Sequence, residues 1–347
     1  MTIQTVHLCP RSPYEPLFSD RYLMWLAGTL AASGSKVLAH TAPVAPAENE
    51  LLLTNFRRPP AAAGGAVLHV SSPTDRTMRL MRPLGKLWAA SGLFGSALAG
   101  STPVKSLLGL VRKPFTAGSD ILRGQIESSG AGTEIPPGRR LVFRVNVDWD
   151  SRGLDILDRW CGRFGLRPTL AVAGSEIAGH EARVREVVAR HGIDIAGHTW
   201  SHRVVLPALG TQRVREEITR NQAYLQDLFG RQVTGFAAPY MKYDRRTFEC
   251  LAASGHRWFI RTWSVHPLPL PGFDLLDLGL NCLFPRGWES ALAGRLALGD
   301  LVLQLHLPDL VRLEAGLESV LADLTARGVR FVNCGEYYNE IKAGGLV

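Results

Sequence analysis

Cysteine is scarce and scattered: Cys9, Cys161, Cys250, Cys282 and Cys334 lie far apart, and no two form a C-x-x-C pair. An odd, dispersed set excludes a disulfide framework and fits buried thiols in a reducing compartment. Long apolar runs are also missing. The uncharged run Leu87–Thr102 spans 16 residues, short of the ~20 needed to cross a bilayer. The opening M-T-I-Q-T-V-H-L-C-P has no basic stretch leading into an apolar one, so no secretory leader is expected. The expected location is the cytoplasm. No phosphate-loop pattern occurs in the first part of the chain.

Acidic residues are absent where basic ones gather. The net charge is +8, and residues 1–140 hold 15 Lys and Arg against 8 Asp and Glu, whereas residues 141–347 hold 24 against 23. From Arg76 to Lys113 there are seven basic residues and no acidic one. Basic flanks around a modest apolar run suit an interfacial helix resting on anionic lipid. They equally suit a buried helix hairpin with its Lys and Arg ends solvated. Nucleic acid is not an expected partner, because no recognition helix or aromatic–basic sheet pattern accompanies the charge.

What remains is a folded chain of 347 residues, 46% apolar and 20% charged, long enough for two units. Strands are predicted at 3–9, 36–39, 51–54 and 67–70, with a helix carrying Leu23, Leu26, Ala27 and Leu30 on one face. Residues 1–115 therefore read as a small basic α/β module. The Gly-, Ser- and Pro-rich stretch 116–140 reads as a linker. From Leu141 the order is regular. Strands are predicted at 141–147, 168–173, 193–197, 232–238, 257–261, 301–306 and 329–333, with another within 275–283. Helical runs such as 176–191 separate most of them. Strand–helix alternation implies right-handed crossovers and a parallel sheet. Seven or eight such units over residues 141–347 suit a distorted (β/α)7–8 barrel.

In a barrel of this kind the C-terminal strand ends share one mouth. Four of these ends carry reactive groups: Asp148-Trp149-Asp150, then His198 and His202, then Pro239-Tyr240, then His306. Two His four apart converge on one divalent metal if the turn after the strand folds back as a helical turn. Alone the spacing is weak, since ten His in such a chain give on the order of 0.3 such pairs by chance. Four reactive strand ends at one mouth carry more weight.

These residues resemble the polysaccharide deacetylase (NodB-homology) superfamily, metal-dependent de-N-acylases with a distorted (β/α) barrel. V-D-W-D at 147–150 is similar to its first motif and H-T-W-S-H at 198–202 to its second. A-A-P-Y at 237–240 is similar to the third and L-Q-L-H at 303–306 to the fifth. The resemblance implies that Asp150, His198 and His202 bind one divalent ion, expected to be Zn2+, and that Asp148 is the general base. The order of the two acids could be reversed. It further implies that the Tyr240 backbone N–H holds the oxyanion and that His306 protonates the departing amine. Trp149, Pro239, Tyr240 and Trp263 are the expected substrate contacts.

Two departures stand out. The third motif ordinarily opens with Arg, and here the position is Ala237. The fourth ordinarily supplies an acid, and 257–265 offers Trp258 and Trp263 but no carboxylate. Losing both members of an ion pair avoids stranding one buried charge; Lys242, Arg245 or Arg261 could substitute for the Arg. A missing Arg with a D-x-D first motif is similar to the branch that deformylates lipid-linked aminoarabinose. The expected activity is removal of an N-acetyl or N-formyl group from an amino sugar, with a polyprenyl-phosphate-linked substrate and peripheral contact with an anionic membrane as extensions. The alternatives are a lapsed, glycan-binding relative and a hydrolase of a small soluble amide.

Overall fold

The computed structural model describes residues 4–9, 27, 35–40, 42, 44–47, 50–54, 66–69, 135–260, 267–279, 282–283, 292, 296 and 299–344. The basic segment 76–113, most of the 116–140 stretch, Arg261 and Trp263 lie outside the described residues, as does the first predicted helix apart from Ala27.

Four short strands form a first, all-parallel sheet: β1 (Thr5–Cys9), β2 (Lys36–Ala39), β3 (Glu50–Thr54) and β4 (Ala66–His69), in the order β2-β1-β3-β4. Val6, Leu8, Val37 and Leu53 form its buried face, and Leu268 of the second sheet packs into the same cluster. Across the sheet runs a row of hydrogen bonds: His7 Nε2 to Glu50 at 3.0 Å, and His7 Nδ1 to His40 Nε2 at 2.9 Å.

The second sheet begins with β5 (Arg140–Val147), followed by α1 (Ser151–Phe164), β6 (Thr169–Val172), α2 (Gly174–Ile177), α3 (Glu181–His191) and β7 (Asp194–Gly197). Next come α4 (Thr211–Phe229), β8 (Gly235–Ala237), α5 (Arg245–Ala253) and β9 (Trp258–Ile260). The last described elements are β10 (Leu268–Pro269), β11 (Leu276–Asp277), β12 (Cys282–Leu283), β13 (Leu301–His306), α6 (Leu307–Ala326), β14 (Arg330–Val332) and α7 (Cys334–Ala343). The strand order is β10-β11-β9-β8-β7-β6-β5-β13-β12, with β14 beside the start of β5. Among the described strands of this sheet only β10 runs antiparallel to its neighbour. The sheet curls into a part-closed (β/α) barrel, as the strand–helix alternation implies.

Alternation along each strand sorts its side chains. On β5, Phe143, Val145 and Val147 pack outward with Leu154 and Leu157 of α1 and Leu310 and Leu317 of α6. Val142 points the other way, into a cluster with Ala196, Trp258, Ile260, Val302 and Val332. Arg144, Asn146 and Asp148 follow Val142 on that inner face by the same period. The inner face of β13 likewise carries Val302, Gln304 and His306. The barrel interior is thus apolar at one end and polar where the parallel strands end.

Two local expectations fail for identifiable reasons. The predicted helix 176–191 is two helices, broken at Gly179, which takes φ +85°. The turn after β7 is not helical, because Thr199 (φ 63°) and His202 (φ 58°) both adopt left-handed backbone. The three described free thiols, Cys161, Cys250 and Cys334, are buried, as expected. Burial pushes Cys161 and Cys334 up to about 12, which keeps them protonated and inert.

Candidate active site

The inner-face residues of β5 and β13 meet by register. His306 is the pairing partner of Asn146, and Asn146 Nδ2 lies 3.4 Å from His306 Nε2 and 3.3 Å from His198 Nε2. Asp148, one step further up, reaches two imidazoles: His202 Nε2 is 3.5 Å from its Oδ1, and His306 Nε2 is 3.9 Å from its Oδ2. The rings of His198 and His202 are 4.9 Å apart. Strand ends far apart in sequence are therefore one cluster in space.

Asp150 does not join it in the expected way. Pairing of β5 stops at Val147, and Asp150 becomes the N-cap of α1, its Oδ1 accepting from Gly153 N at 3.0 Å. A carboxylate in that role satisfies one of the orphan donors of the first helical turn. The acid presented to the imidazoles is Asp148. Gly153 has a second use, because a Cβ there would sit 2.3 Å from the Leu307 carbonyl oxygen. Its absence lets the first turn of α1 abut the residue after His306.

The turn carrying His198 and His202 is held from below by a residue that sequence reasoning missed. Glu217 of α4, 2% exposed, accepts through one oxygen from Trp200 N (3.1 Å), Ser201 N (2.9 Å) and Ser201 Oγ (3.1 Å). Asn221, one turn on, accepts from Gly174 N and donates to Val172 O, tying α4 to the end of β6. His202 N donates to Thr199 Oγ1. Such bonds over-determine a backbone that would otherwise relax, and non-glycine residues at positive φ concentrate where structure is held for a purpose. Among the described residues the four are Thr199, His202, Tyr240 and Met241, all in two loops at this mouth.

Protonation follows from burial. His198 is 1% exposed and its Nδ1 lies 2.6 Å from the Ala237 carbonyl, so Nδ1 carries the proton and Nε2 offers its lone pair. Burial, with help from the neighbouring His202, pulls its pKa well below the usual imidazole range. A neutral imidazole pinned by a carbonyl on its far nitrogen is the form a metal binds. Asp148 Oδ1 and Asn146 Oδ1 are both buried without a hydrogen-bond partner, and buried polar atoms ordinarily have one. In kind, these donors fit a divalent cation. As they stand they face one another, and among the described residues no group of three His, Cys, Asp or Glu side chains is already spaced around an ion.

Tyr240 is 48% exposed, its ring stacked 5.8 Å from that of His202, and Pro239 beside it is buried. Trp149 stacks on His180 at 4.0 Å and nearly parallel. Of the groups considered for the missing third-motif Arg, Lys242 is exposed and Arg245 pairs with Glu249 on the surface of α5. The guanidinium that does lie inside the barrel is Arg144. It is fully buried, donates to Gln304 Oε1, has Nε and Nη1 unpaired, and is pulled down to about 10 by burial. Its position is readable in hindsight, two residues before Asn146 on the same face.

Comparisons with known proteins bear on the fold of this region. The polysaccharide deacetylase family model matches residues 147–259, so the resemblance of the motifs to that superfamily holds over the span that carries the first three. No curated protein matches the chain. Among solved structures, a Mycobacterium smegmatis protein described as a "putative polysaccharide deacetylase" is 21% identical, covering 62% of this chain and 97% of its own, with a TM-score of 0.52. The Xyl-CE4 domain of a multidomain xylanase from the hindgut metagenome of Trinervitermes trinervoides is 14% identical, covering 59% and 92%, with a TM-score of 0.45. BA3943 of Bacillus anthracis, a CE4 family pseudoenzyme, is 14% identical, covering 59% and 67%, with a TM-score of 0.46. The fold is that of the carbohydrate deacetylases.

Proposed function

We propose that the protein is a metal-dependent hydrolase that removes an N-acyl group, acetyl or formyl, from an amino sugar. The observation that carries this is the meeting of Asp148, His198, His202 and His306 at one barrel mouth, with Asp148 within 3.5 Å of one imidazole and 3.9 Å of another. Asp148, His198 and His202 would hold the cation, expected to be zinc. Asp150, first expected as a ligand, caps α1 through Oδ1, which favours Asp148 for that place in this reading. A bound divalent ion supplies Lewis-acid polarisation of the acyl oxygen and acidifies water. His306 delivers the proton that the departing amine needs. Tyr240, held in left-handed backbone, is the residue given the oxyanion, and the exposed Tyr240 ring with Trp149 lines the sugar's approach.

A second reading has a specific observation behind it. Between His198 and His306 stands the amide of Asn146, which cannot take a proton. A lapsed relative that binds a glycan without turnover would look like this. The two separate on a single assay: acetate or formate released from a panel of N-acyl amino sugars by the zinc-loaded protein and by Asp148→Asn. Release by the wild type and not the variant is expected. Bound zinc with no release from any sugar would favour the binding module.

The lipid-linked substrate is a further proposal that rests on the basic 76–113 segment. No helix of the described residues is long and apolar enough to cross a membrane. If the segment docks on anionic lipid, its deletion should release the protein from phosphatidylserine vesicles while zinc binding persists. Unchanged vesicle binding would remove that extension.

A further inference from the structure

His306 sits between two carboxylates. On its Nε2 side is Asp148 at 3.9 Å, with Asn146 Nδ2 at 3.4 Å. On its Nδ1 side is Asp309, in the first turn of α6, whose Oδ2 is 3.0 Å from His306 Nδ1 and also 3.0 Å from His306 N. The other oxygen of Asp309 accepts from Arg312 at 2.7 Å. The hydrogen bond from His306 is the largest of the influences holding Asp309 below the usual carboxylate range.

We infer that Asp309 is a positioning residue that fixes His306 in the Nδ1-protonated tautomer and so makes it the group that carries the proton in both halves of the deacylation. This role rests on the chemistry proposed above and deepens it. An ionised carboxylate accepts only, so the nitrogen facing it must be the donor, and Nε2 is left with its lone pair toward Asp148 and the barrel mouth. The fourth-motif strand offers no acid for this purpose, and Asn146 offers none from β5. The Asp309–His306 pair stands in for both. As the attacking water's oxygen bonds to the acyl carbon, its proton passes to Nε2. The carbon–nitrogen bond then breaks, and that proton goes to the amine nitrogen. One water is consumed, an amine and a carboxylic acid leave, and His306 ends neutral as it began.

A purely structural role for Asp309 is the competing explanation, because its bond to His306 N also closes the first turn of α6. The two differ in what they move. Loss of the cap alone lowers stability and leaves the ring as it was. A positioning role shifts the ring's tautomer and lowers kcat, on the order of 10- to 100-fold for a supporting carboxylate, with KM little changed. Asp309→Glu should rescue both, since Glu at this helical position reaches back in the same way.

The experiment uses the zinc-loaded full chain with 15N-labelled histidine, the His306 signals being those lost in His306→Gln. Long-range nitrogen–proton spectra of the wild type should show Nδ1–H, and Asp309→Ala should shift the ring toward Nε2–H, with Asp309→Glu restoring it. Turnover of whichever sugar the panel identifies should fall and recover in parallel. An Nε2–H ring in the wild type, or unchanged ring and kcat in Asp309→Ala, would overturn the inference. Correct ring behaviour with no turnover of any sugar would sink the proposed hydrolase while supporting Asp309's hold on the ring.

Discussion

Glu217 offers the sharpest test of how the imidazole turn is held. Three donors converge on one oxygen of a side chain that is 2% exposed. In Glu217→Ala, Trp200 N keeps its second acceptor, the Glu217 carbonyl at 3.0 Å, but Ser201 N and Oγ lose theirs. Each stranded buried donor costs about 1–3 kcal/mol. The half-buried Ser201 hydroxyl recovers part of this by turning to solvent, so the expected loss is about 2–4 kcal/mol. Glu217→Gln keeps an acceptor oxygen and loses charge assistance, about 1 kcal/mol, together with the ion pair that the other oxygen makes with the exposed Arg213, which is worth little in solvent. Without its anchor, the left-handed backbone at Thr199 and His202 is free to relax, and cation affinity should fall on the order of 10- to 100-fold. Urea unfolding followed by tryptophan fluorescence measures the first effect, and chelator competition for zinc measures the second. If Glu217→Ala unfolds within 0.5 kcal/mol of the wild type (about the size of a neutral surface substitution) and binds zinc as well, the turn is held by something else.

Further outcomes follow from close contacts and from titration. Gly153→Ala drives a methyl into the Leu307 carbonyl, 2.3 Å from the new Cβ. It should cost about 1–3 kcal/mol and lower activity by shifting His306, whereas a fully stable, fully active variant would show that α6 yields freely. His256, 2% exposed, is pulled down to about 4 by burial, while in the unfolded chain it titrates near ~6.5. The unfolded state therefore binds the extra proton first. Stability present above pH ~6.5 is lost as pH falls toward 4, by about 3 kcal/mol in total. Urea midpoints at pH 7 and pH 4.5 should show a smaller acid loss in His256→Gln, and an identical loss would contradict the assignment.

Much of the barrel was legible because its signals are local. The predicted strands 141–147, 193–197 and 301–306 match β5, β7 and β13 to within one residue, since apolar runs bounded by glycine and polar turns leave few alternatives. Strand-end position alone was enough to expect His198, His202, Asp148 and His306 at one mouth, and the fold does bring these four side chains together. The N-cap role of Asp150 was not legible, because alternation along an extended chain puts it on the same side as Asp148, and nothing in the sequence says that pairing ends at Val147. The supporting residues were invisible for a different reason. Glu217, Asn221 and Asp309 lie on helices at unremarkable polar positions, and only the fold brings them under the loops they hold. Asn146 and Arg144 were in plain view on the first strand, but their inward face acquires meaning only when His198 and His306 arrive beside them. The two-residue strand β10, with Pro269 at the sheet edge, leaves too short a pattern to read.

The most direct measurement of the central claim is zinc affinity across three proteins: wild type, Asp148→Ala and Asp150→Ala, by calorimetry or competition with a chelator. Wild-type binding, at least a 100-fold loss in Asp148→Ala, and Asp150→Ala within threefold of wild type but about 1 kcal/mol less stable are the expected results. Zinc lost with Asp150 and retained without Asp148, or no zinc bound by the wild type, would contradict it.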